Sequence, residues 1–274
     1  MNPMNRQSNF IARLLIICFG IFVIYTVNTG CQSADKSGKA KKNIVFLVSQ
    51  DPDNYEADRT IPVFADQLQD KFKIGTRVLK AEGERTSSVF TGIEALDSAD
   101  LLVVFCRRLA LQEDQMNRIQ NFVKEGNPVL GIRTAHHAFS VVSEDIPAGY
   151  EDWPGFAEEV LGCENRGYGP VEAGTEINVV TGQVNHPIIQ GVSDPYWRSD
   201  GNLYKVAPLL DSNAQILLTG LIPGSGQFEP VAWTRKNDFG GDVFYTSLGH
   251  PSDFDEKDYI KVLNQAVAWL LHQK

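Results

Sequence analysis

The sequence predicts an α/β fold with a mostly parallel central sheet and helices on both faces. Three observations predict it. Short, almost wholly apolar runs recur at residues 44–48, 101–106 and 128–132, and such runs belong to strands covered on both faces. Between them, apolar residues repeat at helical spacing. The alternation of the two implies right-handed crossovers onto one parallel sheet.

Taken in order, the chain starts with a polar stretch carrying Arg6 and Arg13. An apolar run over 14–27 follows, then Asn28-Thr29-Gly30-Cys31. A basic start, an apolar centre and small residues before a Cys form a bacterial export signal. Gly30-Cys31 has the form of a lipoprotein processing site with Cys31 as the lipidated residue, although Asn28 stands where that motif usually carries an aliphatic. An uncleaved N-terminal anchor and ordinary secretion are the other readings, and the apolar run is short for a full membrane span. Residues 1–31 are thus expected to be a signal or anchor that leaves the protein exported and membrane-attached. Residues 32–42 are a Ser-, Lys- and Gly-rich tether, and 43–274 form the domain.

Within that domain, Ile61, Phe64, Ala65, Leu68 and Phe72 lie at helical spacing after the first strand. Residues 74–79 read as a second strand, and Ile93, Leu96 and Ala99 as a short helix. Met116, Ile119, Phe122 and Val123 form the stripe of a helix that Gly126 stops before the 128–132 strand. From 143 to 174 Gly and Pro break the pattern, apart from a helical patch near 156–161, and a loop this long is often functional. Short strands are expected at 176–180, 203–206, 215–219 and 231–234. A hairpin at 238–241 leads into a strand at 243–248. Ile260, Leu263, Val267, Leu270 and Leu271 mark a closing helix.

The chain is 43% hydrophobic, enough to bury a sizeable core, so global disorder is excluded. Its formal net charge is −9, and the first 42 residues hold Arg6, Arg13, Lys36, Lys39, Lys41 and Lys42 against Asp35 alone. The body is therefore more acidic still and lacks the basic face a nucleic acid requires. The four cysteines, Cys18, Cys31, Cys106 and Cys163, show neither CxxC pairing nor zinc spacing.

The 128–132 strand runs into Gly131-Ile132-Arg133-Thr134-Ala135-His136-His137, a sharp turn, and the 243–248 strand runs into Gly249-His250-Pro251. In an open parallel sheet, ligands collect outside the carboxyl ends of the strands. Arg133, His136 and His250 are therefore expected to share one cleft, walled by 51–55 and part of 143–174, with Tyr150, Trp153, Phe156 and Tyr168 as available aromatics. His136 and His137 diverge by about 100° if the turn opens a helix, so one faces the cleft; His136 is the candidate and His137 packs behind it. His186 reads as loop packing, Trp233 as core and Cys106 as a small buried hydrophobe. No cofactor is expected. Zinc would need two or three of His136, His137, His186 and His250 with Asp200, and no closely spaced ligand motif supports that.

Several stretches resemble the ThuA-like (trehalose-utilisation) family: Pro230-Val231-Ala232-Trp233-Thr234-Arg235, the run from Gly241 to His250, Asn264-Gln265-Ala266-Val267-Ala268-Trp269, and His186-Pro187-Ile188 with Gly191-Val192. The resemblance covers roughly 43–272. It implies a class I glutamine amidotransferase-like, flavodoxin-like α/β sandwich and a link to disaccharides processed through keto-sugars. Amidotransferases carry a Gly-x-Cys elbow and a late His-Pro-Glu; here Arg133 stands at the nucleophile position and Ser252 follows His250-Pro251. Arg cannot attack a carbonyl, so glutamine hydrolysis is not expected. Two readings remain. One is an enzyme acting on a sugar, with His250 and His136 in acid–base roles and Arg133 holding an oxygen. The other is a non-catalytic carbohydrate-binding or scaffold protein. Asp200, Asn202, Tyr204 and Tyr55 are the candidates for bonding sugar hydroxyls.

Overall fold

A computed structural model describes residues 41–272. Its strands are β1 (Asn43–Val48), β2 (Gly75–Glu82), β3 (Val89–Phe90), β4 (Leu101–Phe105), β5 (Leu111–Gln112), β6 (Val129–Ile132), β7 (Tyr150–Glu151), β8 (Thr175–Val179), β9 (Tyr196–Ser199), β10 (Gln215–Leu221), β11 (Phe228–Lys236) and β12 (Asp242–Thr246). The α-helices are α1 (Ala57–Phe72), α2 (Glu113–Lys124) and α3 (Lys257–Leu270). Ten strands form one sheet in the order β3-β2-β1-β4-β6-β12-β11-β10-β8-β9. The run β2-β1-β4-β6-β12 is parallel throughout, and the remaining strands extend it with antiparallel pairings.

The apolar runs become the parallel core because every side chain in them finds a buried layer. In β1, Ile44, Phe46 and Val48 face α1 and α3, whereas Val45 and Leu47 face α2. The stripe Ile61, Phe64, Ala65 and Leu68 of α1 meets the first layer, and Met116, Ile119, Phe122 and Val123 of α2 meet the second. Two hydrophobic cores thus sandwich the sheet, as the alternation of elements predicts.

Two local expectations differ from the structure. Residues 203–206 do not form a strand; Tyr204 makes a single isolated bridge to Tyr168. The apolar spacing there serves packing, since Leu203 and Val206 enter opposite cores. Conversely, β9 carries no apolar signature because it is an edge strand, with Tyr196 left 67% exposed. Cys31 and the proposed signal and anchor lie outside the described residues. Among the described residues, no helix is long and apolar enough to cross a membrane.

The order β2-β1-β4-β6-β12 sets the site. The chain leaves β1 toward β2, then crosses back to β4, so the direction of winding reverses between β1 and β4. The crevice outside the carboxyl ends of those two strands is where such a sheet receives ligands.

Candidate functional site

A cavity of about 480 Å³ opens at that crevice. The loop after β1 lines it with Pro52, Asp53 and Tyr55, and the turn after β4 with Arg107 and Arg108. Thr134 and His137 enter from the turn after β6, while Tyr168, Gly169 and Val171 come from the long excursion, and Asn202 and Tyr204 from the segment before β10. The loop after β1 is pinned through Asn54, which is wholly buried. Its amide donates to the carbonyls of Ser49 and Phe105, and its oxygen accepts from Thr134 Oγ1 at 2.5 Å.

The turn after β6 is tight because Gly131 lets it be. A Cβ there would lie 2.9 Å from the Tyr245 ring and 3.1 Å from Leu161. Arg133 then takes φ 44°, the left-handed region that non-glycine residues seldom enter, before a short 3-10 turn over Arg133–His137. Such a residue typically carries ~1–3 kcal/mol of strain and persists only where its surroundings over-determine it. They do so here. Its carbonyl accepts from Tyr245 Oη at 2.7 Å. Its guanidinium donates to the Ser247 carbonyl at 2.8 Å and to Asn202 Oδ1 at 2.9 Å. The same group stacks on the Tyr55 ring at 3.8 Å and lies 4.8 Å from the centre of the Tyr204 ring. Gly201 leaves room for it, since a Cβ at that position would sit 2.8 Å from Nη1.

Arg133 is therefore a buried strut under the cleft, only 1% exposed, and not a hand reaching into it. Burial works against its charge, but Tyr204, Tyr55 and Asp253 outweigh that and hold its pKa above the ordinary value. This differs from the role of oxygen clamp expected from sequence.

The two histidines also exchange places. His136 is 3% exposed and enclosed by Tyr204, Tyr168 and Tyr245, with ring centres 4.8, 6.3 and 6.4 Å away. His137 is the one that lines the cavity. The pair is linked: His136 Nδ1 lies 3.1 Å from the Arg133 carbonyl, and His137 Nδ1 lies 3.2 Å from His136 Nε2. A carbonyl only accepts, so His136 Nδ1 carries the proton and, in the neutral ring, Nε2 is a bare acceptor. His137 Nδ1 must then be its donor, which leaves His137 Nε2 as an unprotonated lone pair. Burial pushes the His136 pKa down to about 4, with the charges of Arg133 and Arg108 acting the same way against the bond from its own ring to the Arg133 carbonyl. Burial holds His137 well below its ordinary range too, joined by His136, Arg108, Arg107 and Arg133.

These shifts carry a stability consequence. The unfolded chain protonates both imidazoles as pH falls through about 6.5, whereas folded His136 resists until about 4. This contribution to stability is full above pH about 6.5 and drains as pH falls toward 4. Denaturant titrations at pH 7.5 and 4.5 should show a loss on the order of 2–3 kcal/mol that His136→Asn removes in part.

His250, expected at the same site, is engaged elsewhere. Its ring caps the 3-10 turn Pro251–Asp255, with Nδ1 2.8 Å from Ser252 Oγ, and Asp253 closes a capping box around it. Its ring meets the wall of the cleft at Tyr55, 6.3 Å away between centres. Asp200 accepts from Ser252 Oγ at 3.0 Å and does not line the cavity. Asn202, Tyr204 and Tyr55 do line it, and Tyr55 Oη donates to Asn202 Oδ1 at 3.2 Å. Of the excursion aromatics only Tyr168 walls the cleft; Trp153 and Phe156 pack with Phe139 in the core. His186 lies in its loop beside Trp269, and Trp233 is wholly buried. Among the described residues no three His, Cys, Asp or Glu side chains gather as a metal-binding set. Arg107, Arg108 and Thr134 were not singled out from sequence. The signal was present for the arginines, which directly follow a buried strand.

The parallel core with a sharp turn after its third crossover strand defines the class: an α/β fold with a mostly parallel central sheet and helices on both faces. The family model for ThuA, trehalose utilisation, matches residues 45–270, so the chain belongs to the ThuA family, which is tied to carbohydrate utilisation. Among solved structures it is similar to a ThuA-like protein from Bacteroides uniformis, with TM-score 0.62, 12% identity, 84% of this chain and 91% of that one covered. A ThuA-like protein from Parabacteroides merdae gives TM-score 0.60 at 15% identity, with 85% and 91% covered. The carbohydrate deacetylase Agd3 gives 0.52 at 13%, covering 85% of this chain and 32% of that one. At these identities the likeness is one of fold. No curated protein matches the chain.

Proposed function

We propose that the cleft binds a sugar and moves a proton on it, with His137 Nε2 as the base and the Tyr204 phenol as the proton donor. The relay Arg133 carbonyl–His136–His137 carries this reading, because it places a bare imidazole nitrogen on a cavity-lining residue in the neutral state. Burial and the neighbouring arginines keep His137 unprotonated across the neutral range, so its lone pair is free to accept a proton, although it is a weaker base than an exposed imidazole. Burial raises the Tyr204 pKa, so the phenol keeps its proton and can donate it to an oxygen on which charge develops. The Tyr168 ring, 41% exposed, offers an apolar face to a pyranose, and Asn202 offers a polar edge. A keto-sugar suits the pair: the base takes the proton beside the carbonyl while the phenol protonates its oxygen.

Glutamine hydrolysis is not part of this reading. Arg133 fills the elbow, and the two cysteines in the described residues are buried away from the cleft. Burial pushes the Cys163 thiol up to about 12 and Cys106 higher still, so neither supplies a thiolate.

The test is turnover of a panel of disaccharides and their keto forms as a function of pH. The rate should stay high from neutral pH down to below the ordinary histidine range of about 6.5. A rate that falls with a midpoint at or above that value would mean that another group is the base. Binding without turnover would favour a carbohydrate-binding module on the same fold.

The proposal places the domain outside the cytoplasm, held by the N-terminal segment, on the basis of the basic start, apolar run and Gly30-Cys31. Mass spectrometry of the mature protein should find a diacylated or triacylated Cys31 at the N-terminus. An intact Met1 with an unmodified Cys31 would refute lipidation.

A further inference from the structure

We infer that the sugar is anionic, and that Arg108, seconded by Arg107, receives its carboxylate or phosphate group. The inference rests on the cleft being the sugar site. Both arginines line the cavity, but they are not equally free. Arg107 is already paired with Asp51 at 3.2 Å and Asp53 at 3.3 Å. Among the described residues Asp53 is also the only acidic one lining the cavity, so the pairing absorbs the charge most able to repel an anion. Arg108 has no carboxylate within 4.0 Å among the described residues; its side chain makes a single long contact, 3.5 Å, to the Ser140 carbonyl.

The backbone holds Arg108 at this spot. Its φ is 54°, in the left-handed region, and its amide donates to the His137 carbonyl at 3.1 Å. The guanidinium thus stems from the same junction as the proposed base. Behind the cleft, Arg133 likewise has no carboxylate partner within 4.0 Å among the described residues, and its Nε is buried without a hydrogen bond among them. Arg108 at the cavity wall and Arg133 behind it thus bring two guanidinium groups without a carboxylate partner to one crevice. The same cations help keep His136 and His137 from protonating. A guanidinium presents paired donors that match two oxygens of a carboxylate or phosphate, and a neutral sugar leaves that capacity unused.

The experiment is calorimetric titration of the full chain with glucuronate, glucose 1-phosphate and glucose. One or both anionic sugars should bind ~10- to 100-fold tighter than glucose, the gain expected of a charge-assisted hydrogen-bonded pair. The one that binds tighter identifies carboxylate or phosphate as the group received. The advantage should shrink with added salt. Arg108→Gln should remove it, read as the ratio of anionic-sugar to glucose affinity in that variant. As a second readout in the unaltered chain, the His137 imidazole should titrate at higher pH with glucuronate bound than with glucose bound. Equal affinity for all three sugars, or a preference that survives in Arg108→Gln, overturns the inference and leaves the sugar site standing. Failure to bind any of the three overturns both.

Discussion

Replacing His137 by Ala is expected to lower sugar turnover by ~100- to 10,000-fold, the range for loss of a general base. The fold should survive, because His137 lies at the cavity wall and donates only one side-chain bond, to its neighbour His136. His250→Ala should act differently. It removes the cap of the turn Pro251–Asp255 and costs ~0.5–2 kcal/mol of stability, with a much smaller effect on rate. Stopped assays on both variants, with thermal melts alongside, separate the two roles. Equal rates in His137→Ala and the unaltered protein would remove His137 from the chemistry.

Replacing Arg133 by Ala is expected to give the largest stability loss of any single change at the site. The substitution strips the Ser247 carbonyl of its donor, leaves the Asn202 amide oxygen with Tyr55 alone, and opens a void between the rings of Tyr55 and Tyr204. Stranding a buried acceptor and opening a cavity in a packed site together cost ~3–5 kcal/mol, and a domain of this size loses roughly 2–4 °C of Tm per kcal/mol. A fall in Tm of about 6–20 °C is therefore expected. Arg133→Met, which refills the volume without the charge, should recover part of it. A melt unchanged in Arg133→Ala would show that the rings hold the cleft without their cation.

The parallel core could be read from the chain because its signals are local. Each buried strand is an apolar run, and α1 and α2 carry their own stripes, so neither depends on distant partners to be recognised. That strand ends open on one side followed from the same elements. From sequence, however, the cleft centres on the ends of the 128–132 and 243–248 strands, whereas the winding reverses between β1 and β4, an order no local signal gives. What the side chains do within the cleft was not legible either. The choice between His136 and His137 assumed helical divergence of neighbours, whereas the turn is a 3-10 segment whose two rings join edge to edge. Which ring turns inward is settled by Tyr168, Tyr204 and Tyr245, far away in sequence. Arg133 is similar: its strut role depends on Gly201, Asn202 and the Ser247 carbonyl, none of which its own neighbourhood announces. His250 followed the rule that strand ends carry sites, but the Pro251 and Asp253 beside it supply a cap. The strand expected at 203–206 failed because alternation across two cores imitates a pleat.

The account turns on the tautomer of His137. Nitrogen-15 NMR of the imidazole side chains at pH 7 observes it directly, with assignment through His136→Asn and His137→Ala. The relay requires a protonated Nδ1 and a bare Nε2 on His137, and the same state on His136, both persisting well below pH 6.5. A proton on His137 Nε2 at neutral pH, whether as the other tautomer or as imidazolium, would contradict it.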